Sequence, residues 1–209
     1  MTRKTLSRRD LVLASALVVL MAAAFTIAGG KPLVVTFVVG LVGVAVLLFA
    51  MYRGRNELPR PLSYYPVFFG ALAWQFIHFA EEFRTGFREL FPPLYGGEPF
   101  SAELFVTINM VSYFVFAVSC ILVLSRNIRF LVAPMLFYVV YGAIGNAIAH
   151  TWWVIWLGEY FPGFFSAQLY WVLGPLALSP LIGSLRKALA FTAAFAVVLV
   201  SILTLFMEL

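Results

Sequence analysis

Pro66-Val67-Phe68-Phe69-Gly70-Ala71-Leu72-Ala73-Trp74-Gln75-Phe76-Ile77-His78-Phe79-Ala80-Glu81-Glu82 reads as a membrane-embedded helix that ends on three ionisable side chains. From Pro66 to Ala80 the stretch holds no charged residue and only two polar ones, Gln75 and His78. His78 and the acids three and four residues on share one side of a helix. Ionisable groups at membrane depth are expensive and by default mark function. Two ionised glutamates in hydrocarbon cost about 5–7 kcal/mol on insertion scales, which calls for partners, water or protonation.

Composition extends this reading to the whole chain. Of 209 residues, 63% are hydrophobic and 11% are charged, against about 25% charged in a soluble domain. The expectation is an all-α polytopic transmembrane bundle, with residues 1–209 as a single integral membrane domain and no room for a soluble one. The single cysteine, Cys120, excludes an internal disulfide framework and reads as packing. The net charge of +5 is explained by topology and asks for no nucleic-acid partner.

Seven apolar segments can be placed, at roughly 11–28, 33–51, 63–90, 103–124, 130–157, 166–182 and 187–207. The sixth is short and carries Pro175 and Pro180, so it is expected to kink, or else to be re-entrant. Arg3, Lys4, Arg8 and Arg9 before the first segment resemble a signal-peptide flank, but read better as the basic inner flank of a first membrane helix. With the N-terminus inside, the inner connections also collect Arg53, Arg55, Arg60, Arg126, Arg129, Arg186 and Lys187. Only Lys31, Arg84 and Arg88 fall outside. This alternation obeys the positive-inside rule and predicts seven spans, N-terminus in and C-terminus out. The expected location is a bacterial or archaeal plasma membrane. Two outer connections carry turn residues: Phe91 to Pro99, rich in Pro and Gly, and Gly158 to Gly163, with Pro162-Gly163 as a tight turn.

Depth brings distant residues to one level. At about 1.5 Å per residue, His78 and Glu82 lie roughly 22 and 28 Å up the third segment. Asn146 and His150 lie roughly 24 and 30 Å up the fifth, and Asn109 about 9 Å below the outer end of the fourth. Polar stripes at helical spacing agree: Gln75, His78 and Glu82; Asn109, Ser112 and Tyr113; Gly142, Asn146 and His150. Gly142 and Gly145 are expected to let another helix approach closely.

Two imidazoles and two carboxylates suit a divalent metal, zinc first, with iron or manganese as alternatives. His78, Glu82 and His150 are the expected ligands, and Glu81 or Glu82 the candidate general base. Asn109, Asn146, Tyr160 and Gln75 are candidates for the surrounding shell or for substrate contact.

The chain resembles the HXXEE-motif integral membrane proteins. The resemblance rests on His78-x-x-Glu81-Glu82, then His150, then Tyr160-Phe161-Pro162-Gly163, and covers the third to sixth segments. It implies an integral-membrane enzyme of unassigned reaction. Three functions follow as expectations. The first is a metal-dependent hydrolase acting on a membrane lipid or other amphiphile, in which metal-activated water attacks an ester or amide carbonyl and Tyr160 closes the site from above. The second is a metal-free acid/base isomerase or cyclase of a prenyl or sterol-like substrate. The third is a proton-coupled transporter or a lipid-binding protein.

Overall fold

The structure is a computed structural model and describes residues 5–208. Arg3 and Lys4, counted above among the inner basic residues, lie outside the described residues. Every element among the described residues is helical.

α1 (Arg8–Leu33) starts on a capping box in which Ser7 accepts from the Asp10 amide and Asp10 reaches back to the Ser7 amide. It passes through a π-helical turn, Val34–Val38, into α2 (Val39–Arg53). As a straight rod these 46 residues would run about 70 Å. Instead the chain breaks at Gly30, whose φ of 59° and ψ of −147° suit only glycine. α1 and α2 then pack against one another as a hairpin.

α3 (Pro61–Thr85) places Pro61 at its first turn, where a missing N–H costs nothing, and leads through Gly86 into the short α4 (Phe87–Leu90). α5 (Ala102–Arg126) is capped by the Ser101 hydroxyl, which accepts from the Leu104 amide. The next helix runs from Arg129 to Leu157 as α6 (Val132–Phe137), a π-helical stretch (Tyr138–Gly145) and α7 (Asn146–Leu157). α8 (Phe164–Ala167) and α9 (Tyr170–Ile182) follow, and α10 (Leu185–Leu205) closes the bundle. Pro175 and Pro180 both lie within α9.

Among the described residues, five helices are long and apolar enough to cross a membrane: Arg8–Arg53, Ala102–Arg126, Arg129–Leu157, Phe164–Ile182 and Leu185–Leu205. The chain therefore has the make-up of a membrane protein. The Arg129–Leu157 helix is the axis of the bundle: 83% of its most apolar stretch is buried, against 28% for α5 and α10. The outer helices turn large apolar side chains outward, among them Val19, Leu20, Phe114, Val197 and Leu205. An exposed face of that kind is at home in lipid.

Connections gather at the two ends of α1. At its start, Arg129 donates to the Thr5 carbonyl at 2.7 Å, and Tyr52 and Arg53 line one cleft with Leu6 and Arg8. At its far end, Lys31 pairs with Glu208, whose amide donates to the Leu94 carbonyl at 2.8 Å.

One packing expectation is corrected. A Cβ on Gly142 or Gly145 would meet Tyr138 Cδ2 at 2.7 Å or Tyr141 Cδ2 at 2.6 Å, both from the same helix. These glycines make room for their own tyrosine rings rather than for a neighbouring helix. Close helix approach falls elsewhere: a Cβ on Gly174 of α9 would lie 2.5 Å from Ile144 Cγ1, and one on Gly40 of α2 2.7 Å from Tyr141 Cβ.

Candidate metal centre

α3 contributes two residues one helical turn apart, and the axial helix contributes one. His78 Nε2 lies 3.3 Å from Glu82 Oε1, and His150 Nε2 lies 3.2 Å from the same oxygen. The three side chains are buried, with relative exposures of 0% for His78, 5% for Glu82 and 1% for His150. The imidazole rings meet edge to face, with centroids 4.8 Å apart. Aromatic side chains wall them in: Trp153 at 5.0 Å and Phe87 at 5.3 Å from His150, and Tyr170 at 5.8 Å from His78.

These distances suit a cation. With metal–ligand bonds of about 2.0–2.1 Å, two ligand atoms on a tetrahedral ion stand about 3.3–3.4 Å apart. One potential ligand atom from each of the three residues lies within 4.8 Å of the others. His78 Nε2 is buried and makes no hydrogen bond, which leaves a lone pair or proton with no protein partner of good geometry. The buried His78–Glu82–His150 group can therefore hold a metal ion.

The two adjacent glutamates part company. Glu82 turns to the imidazoles, while Glu81, offered with it as a candidate base, turns to the loop after the axial helix. Glu81 Oε1 accepts from Tyr160 Oη at 2.8 Å and from the Phe165 amide at 3.1 Å. Its Oε2 accepts from the Ser166 amide at 2.7 Å and from Ser166 Oγ. Adjacent helical positions differ by about 100°, so one residue can build the centre and the next can bind the loop that covers it. Tyr160 thus reaches Glu81 and not the imidazoles.

No family model matches the chain, and neither a curated protein nor a solved structure matches it.

Beside the centre lies a small cavity of about 70 Å³, room for a few waters or a small polar group and less than half of the about 150 Å³ that holds a benzene. Glu82 is on its wall; His78 and His150 are not. Gln75, Asn109 and Asn146 share the wall, among the rings of Phe87, Phe91 and Phe105. A directed chain of hydrogen bonds links three of the elements. Tyr170 Oη donates to Gln75 Oε1 at 2.6 Å, and Gln75 Nε2 donates to Tyr113 Oη at 3.1 Å. Tyr113 Oη then donates to Asn109 Oδ1 at 2.9 Å. Asn146 Nδ2 is bound to the Gly142 carbonyl of its own helix at 3.0 Å.

Ser166 was not singled out in the sequence, yet it touches both halves of the site. Its Oγ lies 2.9 Å from His78 Nδ1 and also binds Glu81, and its carbonyl accepts from Trp74 Nε1 at 2.8 Å. Its place three residues after Pro162-Gly163 is the only hint, since a serine carries no periodic signal. Tyr170 was missed because a tyrosine in an apolar run reads as packing.

Proposed function

We propose that the chain is an integral-membrane enzyme whose centre, formed by His78, Glu82 and His150, holds a divalent metal, zinc in preference to iron or manganese. We infer a hydrolase acting on a membrane lipid or other amphiphile. The observation that carries this reading is the pair of 3.2 and 3.3 Å separations about Glu82 Oε1 at the wall of a mostly aromatic cavity. A divalent ion there supplies Lewis acidity toward a carbonyl and lowers the pKa of water. Glu82, the member of the trio that borders the cavity, exchanges a proton with its occupant. Gln75, Asn109 and Asn146 orient the occupant's polar group, and the phenylalanines exclude water around it. Glu81 and Tyr160 hold the covering loop in place.

The crossing pattern is part of the proposal: seven spans, N-terminus in. Its support is the gathering of connections at the two ends of α1, nine described basic residues being assigned to the Thr5 end and three to the Lys31 end. So is membership of the HXXEE-motif proteins, supported by the meeting of His78, Glu82, His150 and Gly163 at one point.

A second reading, a metal-free acid/base isomerase or cyclase, is favoured by one observation. Only Glu82 of the trio meets the cavity, and aromatic rings that can stabilise a cation surround it. Purified full-length protein in nanodiscs, given ester and amide lipids or a prenyl or sterol-like substrate, with and without a strong chelator, separates the two. Hydrolysis abolished by chelation and restored by zinc supports the first reading. Hydrolysis that survives chelation overturns the metal reading, and chelator-resistant rearrangement of a prenyl or sterol-like substrate without hydrolysis of either lipid supports the second.

A further inference from the structure

We propose that Ser166 and Glu81 are positioning residues that fix a ring proton on Nδ1 of His78, so that Nε2 is the nitrogen offered to the centre. Counting protons leads there. Glu81 accepts four donors: Tyr160 Oη, the Phe165 amide, the Ser166 amide and Ser166 Oγ. An ionised carboxylate has about four lone-pair sites, so these donors fill it. The Ser166 hydroxyl has a single hydrogen, and the carboxylate is the strongest acceptor in its reach. That leaves Ser166 Oγ facing His78 Nδ1, 2.9 Å away, with lone pairs only. A hydrogen bond there needs the hydrogen on Nδ1.

A neutral imidazole has one ring hydrogen. With it on Nδ1, Nε2 is bare and stands 3.3 Å from Glu82 Oε1, where it makes no hydrogen bond. Two acceptors face each other at that distance, which is stable only with a cation or an added proton between them. In the opposite arrangement Ser166 donates to Nδ1 and His78 Nε2–H donates to Glu82; the imidazole is then blocked as a ligand. The partner on one ring nitrogen thus decides what the other can bind. Glu81 acts on the centre without touching it, through Ser166. The use made of Nε2 rests on the metal reading, but the position of the proton does not, so the two can fail separately.

Ring-nitrogen NMR on full-length protein labelled with 15N-histidine, in nanodiscs, tests this. The chain has two histidines, so His150→Gln assigns the spectrum. The expected result is a proton on His78 Nδ1 in metal-free wild type and in Ser166→Thr, with zinc(II) shifting Nε2. In Ser166→Ala the proton shifts toward Nε2 and zinc affinity falls by about 10–100-fold. An unprotonated His78 Nδ1 in wild type overturns the proposal, and that spectrum decides alone if Ser166→Ala fails to fold. A Ser166→Ala spectrum identical to wild type also overturns it. If zinc moves neither ring while Nδ1 keeps its proton, the proton assignment stands and the metal reading falls.

Discussion

Gly163 lies so close to His150 that a Cβ added to it would stand 2.5 Å from His150 Cε1 and 2.9 Å from Glu82 Cγ. Its φ is 87°, in the region that glycine tolerates and other residues resist. Gly163→Ala therefore combines backbone strain with displacement of two members of the centre. The expected cost is about 1–3 kcal/mol from the backbone alone, together with loss of zinc binding. A variant that melts and binds zinc like wild type would remove the turn from the site.

Binding to the folded state alone stabilises it, by about 2.7 kcal/mol when the ion is at a hundredfold excess over its dissociation constant. Zinc should accordingly raise the melting temperature of the wild-type protein in detergent, and a chelator should lower it. His78→Ala and His150→Ala should show neither shift. Equal shifts in wild type and in both variants would place zinc elsewhere.

The hydrogen-bond chain from Tyr170 through Gln75 and Tyr113 to Asn109 borders the cavity but does not touch the imidazoles' ligand nitrogens. Tyr170→Phe leaves Gln75 Oε1 without its 2.6 Å donor. Hydrogen bonds between membrane helices are worth about 0.6 kcal/mol on average and about 1.7 at most. A loss of stability in that range, with zinc affinity unchanged, is the expected outcome. Chemical denaturation and zinc titration of the same variant measure both.

Sidedness can be read with single cysteines. Cys120 is buried, while Arg55 and Glu98 are exposed on different connections. In right-side-out vesicles, Glu98→Cys should react with an impermeant maleimide and Arg55→Cys should not. Labelling of both, or of Arg55→Cys alone, contradicts seven spans with the N-terminus inside.

Much of the centre was legible because helical arithmetic is strict. His78 and Glu82 sit four residues apart, and the rise per residue brings His150 to their level from another segment. Helical spacing also favoured Glu82 over Glu81 as the ligand, since Glu82 continues the stripe of Gln75 and His78; where Glu81, about 100° away, would turn was not legible, because only packing decides what it meets. Ser166 was invisible for a different reason: its contacts depend on how Gly163 turns the chain after Pro162, and a lone serine leaves no pattern. The broken hairpin of α1 and α2 could be read from the charged and small residues near Gly29-Gly30-Lys31-Pro32. The purpose of Gly142 and Gly145 could not, since the tyrosines they accommodate lie in the same helix and in a π-helical register. Tyr170 and Gln75 pair across helices 95 residues apart in sequence, beyond any local signal.

X-ray absorption at the zinc edge, with metal analysis of the same purified full-length protein, tests the proposed centre most directly. Stoichiometric zinc is expected, with two imidazole nitrogens and a carboxylate oxygen at about 2.0–2.1 Å, lost in both His78→Ala and His150→Ala. Catalytically active protein with no bound metal, or zinc whose first shell contains no imidazole, would contradict it.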